Sequence, residues 1–242
     1  MHVLILSLDT GSPSGSVAIL RDEITLGVIS TRAEENYSSR IFRHLEFLLG
    51  DLTLKLADFD LFAVSAGPGS FTGLRVGLTA AKGWAEVYRK PVVGLSALEA
   101  VASQARGHAS VLVPALDARR GQIYFGVYRT AATALALDGE EFVVTPEEFG
   151  AKLDALADAD GGVRRGEFTI VTPDASVVAV VSRLRSNLAA SFAGLDIVSS
   201  VLAPSIGRIA HARALRGDVS DALTLDANYV RRTDAEMRWK DG

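Results

Sequence analysis

Leu6-Ser7-Leu8-Asp9, the turn Thr10-Gly11-Ser12-Pro13-Ser14-Gly15 and Ser16-Val17-Ala18-Ile19 form the stretch on which the fold turns. A buried strand over 3–8 ends in an acid, and a turn rich in Gly, Pro and Ser leads into an antiparallel partner. The pattern returns at Pro114-Ala115-Leu116-Asp117, the turn Ala118-Arg119-Arg120-Gly121, and Gln122-Ile123-Tyr124-Phe125. A strand–acid–turn–strand unit that occurs twice predicts two related α/β lobes. The alternative is a chance hairpin inside one mixed α/β domain.

The surrounding pattern extends this unit. The first half reads as strands over 3–8, 16–20 and 24–30, a helix over 38–52, a strand over 59–66, a helix over 72–88, a strand over 91–95 and a helix after Ser96. The second half reads as strands over 111–116 and 122–129, a helix starting at Thr145-Pro146, a strand over 168–171, a helix over 174–188, a short strand at 197–198 and a helix over 204–216. The Ala-, Asp- and Gly-rich run 155–166 reads as a surface loop. Duplicated lobes of this kind are the architecture of the actin-like ATPase and sugar kinase class, an α/β fold with two ribonuclease-H-like lobes. The expected division is 1–105 and 106–203, with the last helix and tail, 204–242, returning to the first lobe.

Composition narrows the chemistry. The 242 residues are 48% hydrophobic and 22% charged, which excludes a disordered chain. A net charge of −4 argues against a global electrostatic grip on nucleic acid. The cations near the C-terminus, Arg231, Arg232, Arg238 and Lys240 among them, alternate with acids and read as a solvated mixed-charge tail. There is no cysteine, so disulfides, thiol nucleophiles and Cys-based metal sites are excluded. No signal-peptide pattern and no uncharged run of the ~20 residues a membrane helix needs is present, so a cytoplasmic protein is expected.

Three stretches could carry chemistry. Asp9-Thr10-Gly11-Ser12 has the small residues that let backbone amides approach a phosphate. Its counterpart, Asp117 to Gly121, has Arg119 where a glycine would be expected, which would crowd a phosphate. The pair therefore reads as a degenerate nucleotide site at Asp9, Gly11, Asp117 and Arg119, or as two acids that satisfy donors in their own turns. Gly67-Pro68-Gly69-Ser70-Phe71-Thr72-Gly73-Leu74-Arg75-Val76-Gly77 follows a strand and opens a helix, without the Gly-Lys-Ser/Thr ending of a P-loop. Gly73, Gly77 and Ala81 recur four apart, and each interior glycine costs a helix ~1 kcal/mol relative to Ala. Their retention predicts close backbone approach, either by the chain's own elements or by a partner. His2, His44, His108 and His211 form no i, i+3 or i, i+4 pair, and no Gly-x-Ser-x-Gly elbow exists. No catalytic or metal-ligating residue is expected.

These residues resemble the bacterial TsaB family, also called YeaZ. The run Ser65 to Gly77 matches its most specific signature. Asp117 to Tyr124 matches a second with Gln122 in place of Glu. Ala227 to Arg231 matches a terminal Pro-x-Tyr-x-Arg without its Pro, and Tyr37 stands where relatives often carry His. The resemblance implies a two-lobed actin-like fold with a degenerate nucleotide site and no metal. It implies a non-catalytic, dimerising subunit of a tRNA threonylcarbamoyladenosine threonylcarbamoyltransferase complex. The partners implied are TsaD, which carries the catalysis, and TsaE, a small ATPase. ATP would be used by the complex and tRNA reached through it, with no cofactor on this chain alone and a homodimer possible without TsaD. The interface implied is the glycine-rich helix, with Ser70, Phe71, Gly73, Leu74, Gly77, Ala80, Ala81 and Trp84. The alternatives are an actin-like ATP-dependent small-molecule kinase and, more remotely, a glycoprotease-type peptidase, which would need ligands this sequence lacks.

Overall fold

The computed structural model describes residues 2–32, 40–107, 109–131, 134–158, 168–184, 192–228 and 230. The chain divides into two compact units, one of residues 1–100 and 201–242 and the other of 101–200. Tyr37, Gly161-Gly162, Tyr229, Arg231 and the mixed-charge tail lie outside the described residues, as do the expected starts and ends of helical sequence at 38–39 and 185–188.

In the first unit, β1 (Leu4–Asp9), β2 (Ser16–Arg21) and β3 (Ile24–Ser30) form an antiparallel meander. β4 (Leu61–Gly67) and β5 (Val92–Ser96) then add parallel to β1, giving the order β3-β2-β1-β4-β5. α1 (Ile41–Asp51) and α2 (Phe71–Tyr88) bridge the parallel strands, and α3 (Ala97–Ala102) follows β5. β1, the central strand between antiparallel β2 and parallel β4, is buried on both faces. Leu6 and Leu8 point into a core shared with Ile41 and Leu45 of α1 and Leu74 and Leu78 of α2. Ser7, between them, points the opposite way.

The second unit repeats the plan. Its central strands are β6 (Val111–Asp117), β7 (Ile123–Phe125), β10 (Phe142–Val144), β11 (Phe168–Thr172) and β12 (Phe192–Ile197). Their order, β10-β7-β6-β11-β12, has the same alternation of antiparallel and parallel pairs. β8 (Tyr128–Ala131) and β9 (Ala134–Leu137) form an added hairpin beside β6. α4 (Pro146–Asp158) and α5 (Ala175–Leu184) complete the unit around Phe125, Phe149 and Phe168. Thr145 caps α4 in a reciprocal box: Glu148 N donates to Thr145 Oγ1 at 3.2 Å and Thr145 N to Glu148 Oε2 at 2.8 Å. Two sheets of identical strand order make the two ribonuclease-H-like lobes of the actin-like and sugar kinase class.

Three boundaries differ from the sequence expectation. The strand expected over 122–129 breaks at Gly126-Val127, where pairing changes from β10 to β9. α4 runs to Asp158, so Ala155–Asp158 of the run expected as a loop are helical, and 159–166 lie outside the described residues. β12 is longer and earlier than the dipeptide 197–198, since Gly194 and Asp196 hide its alternation.

α6 (Ala203–Leu215) follows the second unit's last strand but packs on the first unit's sheet, on the face opposite α1 and α2. Ser7 Oγ donates to the Ala203 carbonyl at 2.7 Å, and Ala203 N donates to Ser16 Oγ at 3.1 Å, so two strand serines receive the helix start. Gly207 lets α6 settle onto β2: a Cβ there would lie 2.4 Å from Leu20 Cδ1. Gly207→Leu should therefore overpack this seam and cost about 1–3 kcal/mol, read as a lower melting temperature; an unchanged melt would show that α6 is not seated through Gly207.

Candidate functional site, the Asp9 turn and the glycine-rich helix

Asp9 closes β1 with its carboxylate wholly buried. Oδ1 accepts from Gly11 N at 3.0 Å and Ser12 N at 3.3 Å, and Oδ2 accepts from the Ser12 hydroxyl. Burial pushes the Asp9 carboxyl above the usual carboxylate range, and these hydrogen bonds, which favour the charged form, only partly oppose it. The amides of Gly11 and Ser12 are thereby turned onto the protein's own acid.

The helix α2 then fits against this turn backbone to backbone. Thr10 Oγ1 donates to the Gly73 carbonyl at 2.7 Å, and Ser70 N donates to the Gly11 carbonyl at 2.9 Å. Ser70 is the N-cap, accepting from Gly73 N at 3.4 Å. A Cβ on Gly69 would stand 2.7 Å from the Gly11 carbonyl oxygen, one on Gly73 2.0 Å from that of Thr10, and one on Gly77 2.2 Å from Thr10 Oγ1. The close approach foreseen for this stripe is made by the chain's own β1 turn.

This corrects part of the expected interface. Gly73, Leu74, Gly77 and Ala81 are buried within the first unit and present no surface. Ser70 and Phe71 are exposed, while Ala80 and Trp84 are half-buried, with the Trp84 ring 5.9 Å from that of Phe62. The outward side instead carries Thr72, Val76, Thr79, Gly83 and Glu86, with Ala80 and Val87 on one flank. Val87 is 72% exposed, and no atom lies within 4 Å of where a Gly83 Cβ would be. Arg75 lies beside this face, its guanidinium carbon 3.8 Å from the Phe71 ring centroid. On a helical wheel Gly73, Gly77 and Ala81 lie opposite Arg75, Thr79 and Glu86; adding the buried Leu74, Leu78 and Ala85 to the inner side brings the outward direction round to Thr72, Thr79 and Gly83.

The second unit's turn is built differently. Asp117 is exposed; its Oδ1 accepts from Arg119 N at 2.7 Å and its Oδ2 from Ser176 Oγ at 3.1 Å, while Asp117 N donates to Asp174 Oδ2 at 2.8 Å. Arg119, Arg120 and Gly121 have φ of 63°, 53° and 71°, the left-handed region where glycine is favoured. Among the described residues no group of three or more His, Asp or Glu could hold a metal ion, and no helix is long and apolar enough to cross a membrane.

Comparison with known proteins gives a consistent family. A family model described as "TsaD: tRNA N6-adenosine threonylcarbamoyltransferase" matches residues 18–221. The "tRNA threonylcarbamoyladenosine biosynthesis protein TsaB" of Bacillus subtilis is 35% identical over 125 residues, 52% of this chain; the match spans about half of that relative, 55%. The protein of the same name from Escherichia coli is 30% identical over 159 residues, covering 63% of this chain and 67% of its own. The solved YeaZ structure from Pseudomonas aeruginosa superposes with a TM-score of 0.72 at 23% identity, over 94% of this chain and 99% of the other. That last likeness is one of fold.

Two outcomes follow from the geometry. Gly77→Leu should destabilise the first unit by about 1–3 kcal/mol or more through overpacking on Thr10, whereas Gly83→Leu should be neutral or stabilising by up to ~1 kcal/mol from helix propensity; paired denaturation curves check the contrast. For Asp9, a folded-state pKa above the unfolded one means that the native state holds its proton more tightly. Its contribution to stability is full below the unfolded value and is lost as pH rises through the folded one. Asp9→Asn keeps the acceptor for Gly11 and Ser12 and removes that loss. The variant should gain on the wild type as pH rises from the acid side to neutrality, in melts recorded across that range.

Proposed function

This chain belongs to the TsaB/YeaZ family, and on that premise we propose that it serves tRNA threonylcarbamoyladenosine synthesis as a non-catalytic subunit that docks a TsaD-like threonylcarbamoyltransferase. The observation that carries the non-catalytic reading is the Asp9 turn. A phosphate loop needs backbone amides aimed at its ligand, and those of Gly11 and Ser12 are held by Asp9 Oδ1. The Gly11 carbonyl is likewise held by Ser70 N. In the second unit's turn, Arg119 N is held by Asp117 Oδ1. An actin-like kinase would have to dismantle these bonds before gripping ATP. In this proposal the chain alone binds no cofactor, ATP is consumed by the complex with a TsaE-like ATPase, and tRNA is met through the complex.

The docking surface proposed is the outer face of α2. Thr72, Thr79, Ala80 and Gly83 are small enough to let a second helix approach closer than the usual ~8–10 Å between axes, and the exposed Val87 and Phe71 offer apolar area at either end. A TsaD-like partner of related fold would meet it with an equivalent helix, and a second copy of this chain could do so in its absence.

The test is a titration of the same organism's TsaD homologue into wild type and Gly83→Arg. Wild type should bind, and the variant should lose at least about tenfold in affinity, or ~1.4 kcal/mol, with its melting temperature unchanged or raised. Equal binding would remove α2 from the interface. Mg-ATP hydrolysis by the isolated chain would favour the kinase instead.

A further inference from the structure

Beyond α6, residues 216–228 stay on the first unit. Gly217, at φ 75°, turns it into an extended strap. Ser220 exchanges both backbone hydrogen bonds with Val92 on the edge of β5, at 2.9 and 3.1 Å. Leu225, only 6% exposed, fills the notch left by Gly94, where a Cβ would lie 2.2 Å from Leu225 Cδ1. Lys82 of α2 donates through Nζ to the Leu225 carbonyl at 2.8 Å. Asn228 N donates to the Ala66 carbonyl at 2.7 Å, and its own carbonyl covers Gly67. One strap thus ties the edge of β5, the flank of α2 and the end of β4.

Its inner side is thin. Ala222 and Leu225 are buried in the core and the half-buried Ala227 packs against it, while Leu223, Thr224 and Asp226 face solvent. A segment held by few buried apolar groups opens at lower free energy than the strands beneath it. Lys82 is a near neighbour of Thr79 and Glu86 on the helix surface, so it borders the outer face of α2. Opening the strap would release the ammonium–carbonyl bond on that border and reopen the Gly94 notch.

We infer that the strap Ser220–Asn228 is a latch that sets the position of α2, so that docking on the outer face of α2 depends on whether the strap is seated. This rests on the assignment of that face as the docking surface. Leu225 is buried and cannot itself touch a partner, so an effect of its truncation on binding must pass through the strap.

The experiment compares wild type, Leu225→Ala and Gly94→Val as full chains, by hydrogen exchange and by titration with the TsaD homologue. Gly94→Val places a Cβ where Leu225 Cδ1 lies and so displaces Leu225 from a position on β5 rather than on α2. Both variants should exchange at least about tenfold faster over 220–228 and over the second half of α2, 79–88, while β1 and β4, the central strands of the same unit, stay protected as a control of folding. Affinity should fall about tenfold. A freed strap with unchanged exchange in α2, or with unchanged affinity, overturns the latch. Failure of the wild type to bind would sink the docking assignment instead, and the exchange comparison would then decide the latch alone: coupled loosening upholds it and uncoupled loosening refutes it.

Discussion

The first unit depends on α2 lying backbone against backbone on the β1 turn. Thr10 and Gly11 meet Gly69, Gly73 and Gly77 with no room for a single Cβ between them. This contact requires the glycines, and the helix tolerates them despite their cost of ~1 kcal/mol each relative to Ala. It also decides the orientation of α2 about its own axis. With Gly73, Gly77, Leu78, Ala81 and Ala85 turned inward, Thr72, Thr79 and Gly83 turn outward. The same contact holds Gly11 through its carbonyl while Asp9 holds its amide. The fixing of the Gly11 carbonyl by Ser70 and the outward set of Thr79 and Gly83 are thus two results of one packing contact.

The two units share strand order but not turn chemistry. In the first, small residues let a helix close over the turn. In the second, Arg119 and Arg120 adopt left-handed conformations that cost roughly 1–2 kcal/mol per non-glycine residue. Local hydrogen bonds oppose that cost: Arg119 N donates to Asp117 Oδ1, and Gln122 N donates to the Arg119 carbonyl at 3.0 Å. Asp117 is further held by Ser176. A duplicated backbone therefore reaches the same hairpin by different side-chain means, and neither turn leaves its acid without local work.

Much of this was legible in the residues. The repeated strand–acid–turn–strand predicted two lobes because burial on both faces and a sharp turn leave strong local signals. Thr145-Pro146 predicted the start of α4 because capping is local. The glycine stripe was legible as close approach, but not as close approach to Thr10. A small residue reports that something comes near and carries no mark of which element does so. β12 and the break between β7 and β8 were hidden for a related reason: Gly194 and Gly126 interrupt alternation, and only the tertiary partners restore the pairing.

The course of the chain gives the strap its reach. α6 comes after the second unit's last strand, yet its first residues are received by Ser7 and Ser16 and its last turn by the β5 region. Arg213 donates to the Gly94 carbonyl at 3.3 Å and pairs with the nearly buried Glu99 at 2.6 Å. The pair is part-buried, so it is worth less than the about 3–5 kcal/mol lost on breaking a fully buried one, but with the Gly94 bond it anchors the C-terminal end of α6 at β5. Gly94 consequently receives Arg213 at its carbonyl and Leu225 where its side chain would be. A firm anchor immediately before a thinly held segment confines opening to the segment itself. That arrangement lets the strap respond at α2 without loosening the sheet on which both units of contact, helix and turn, are built.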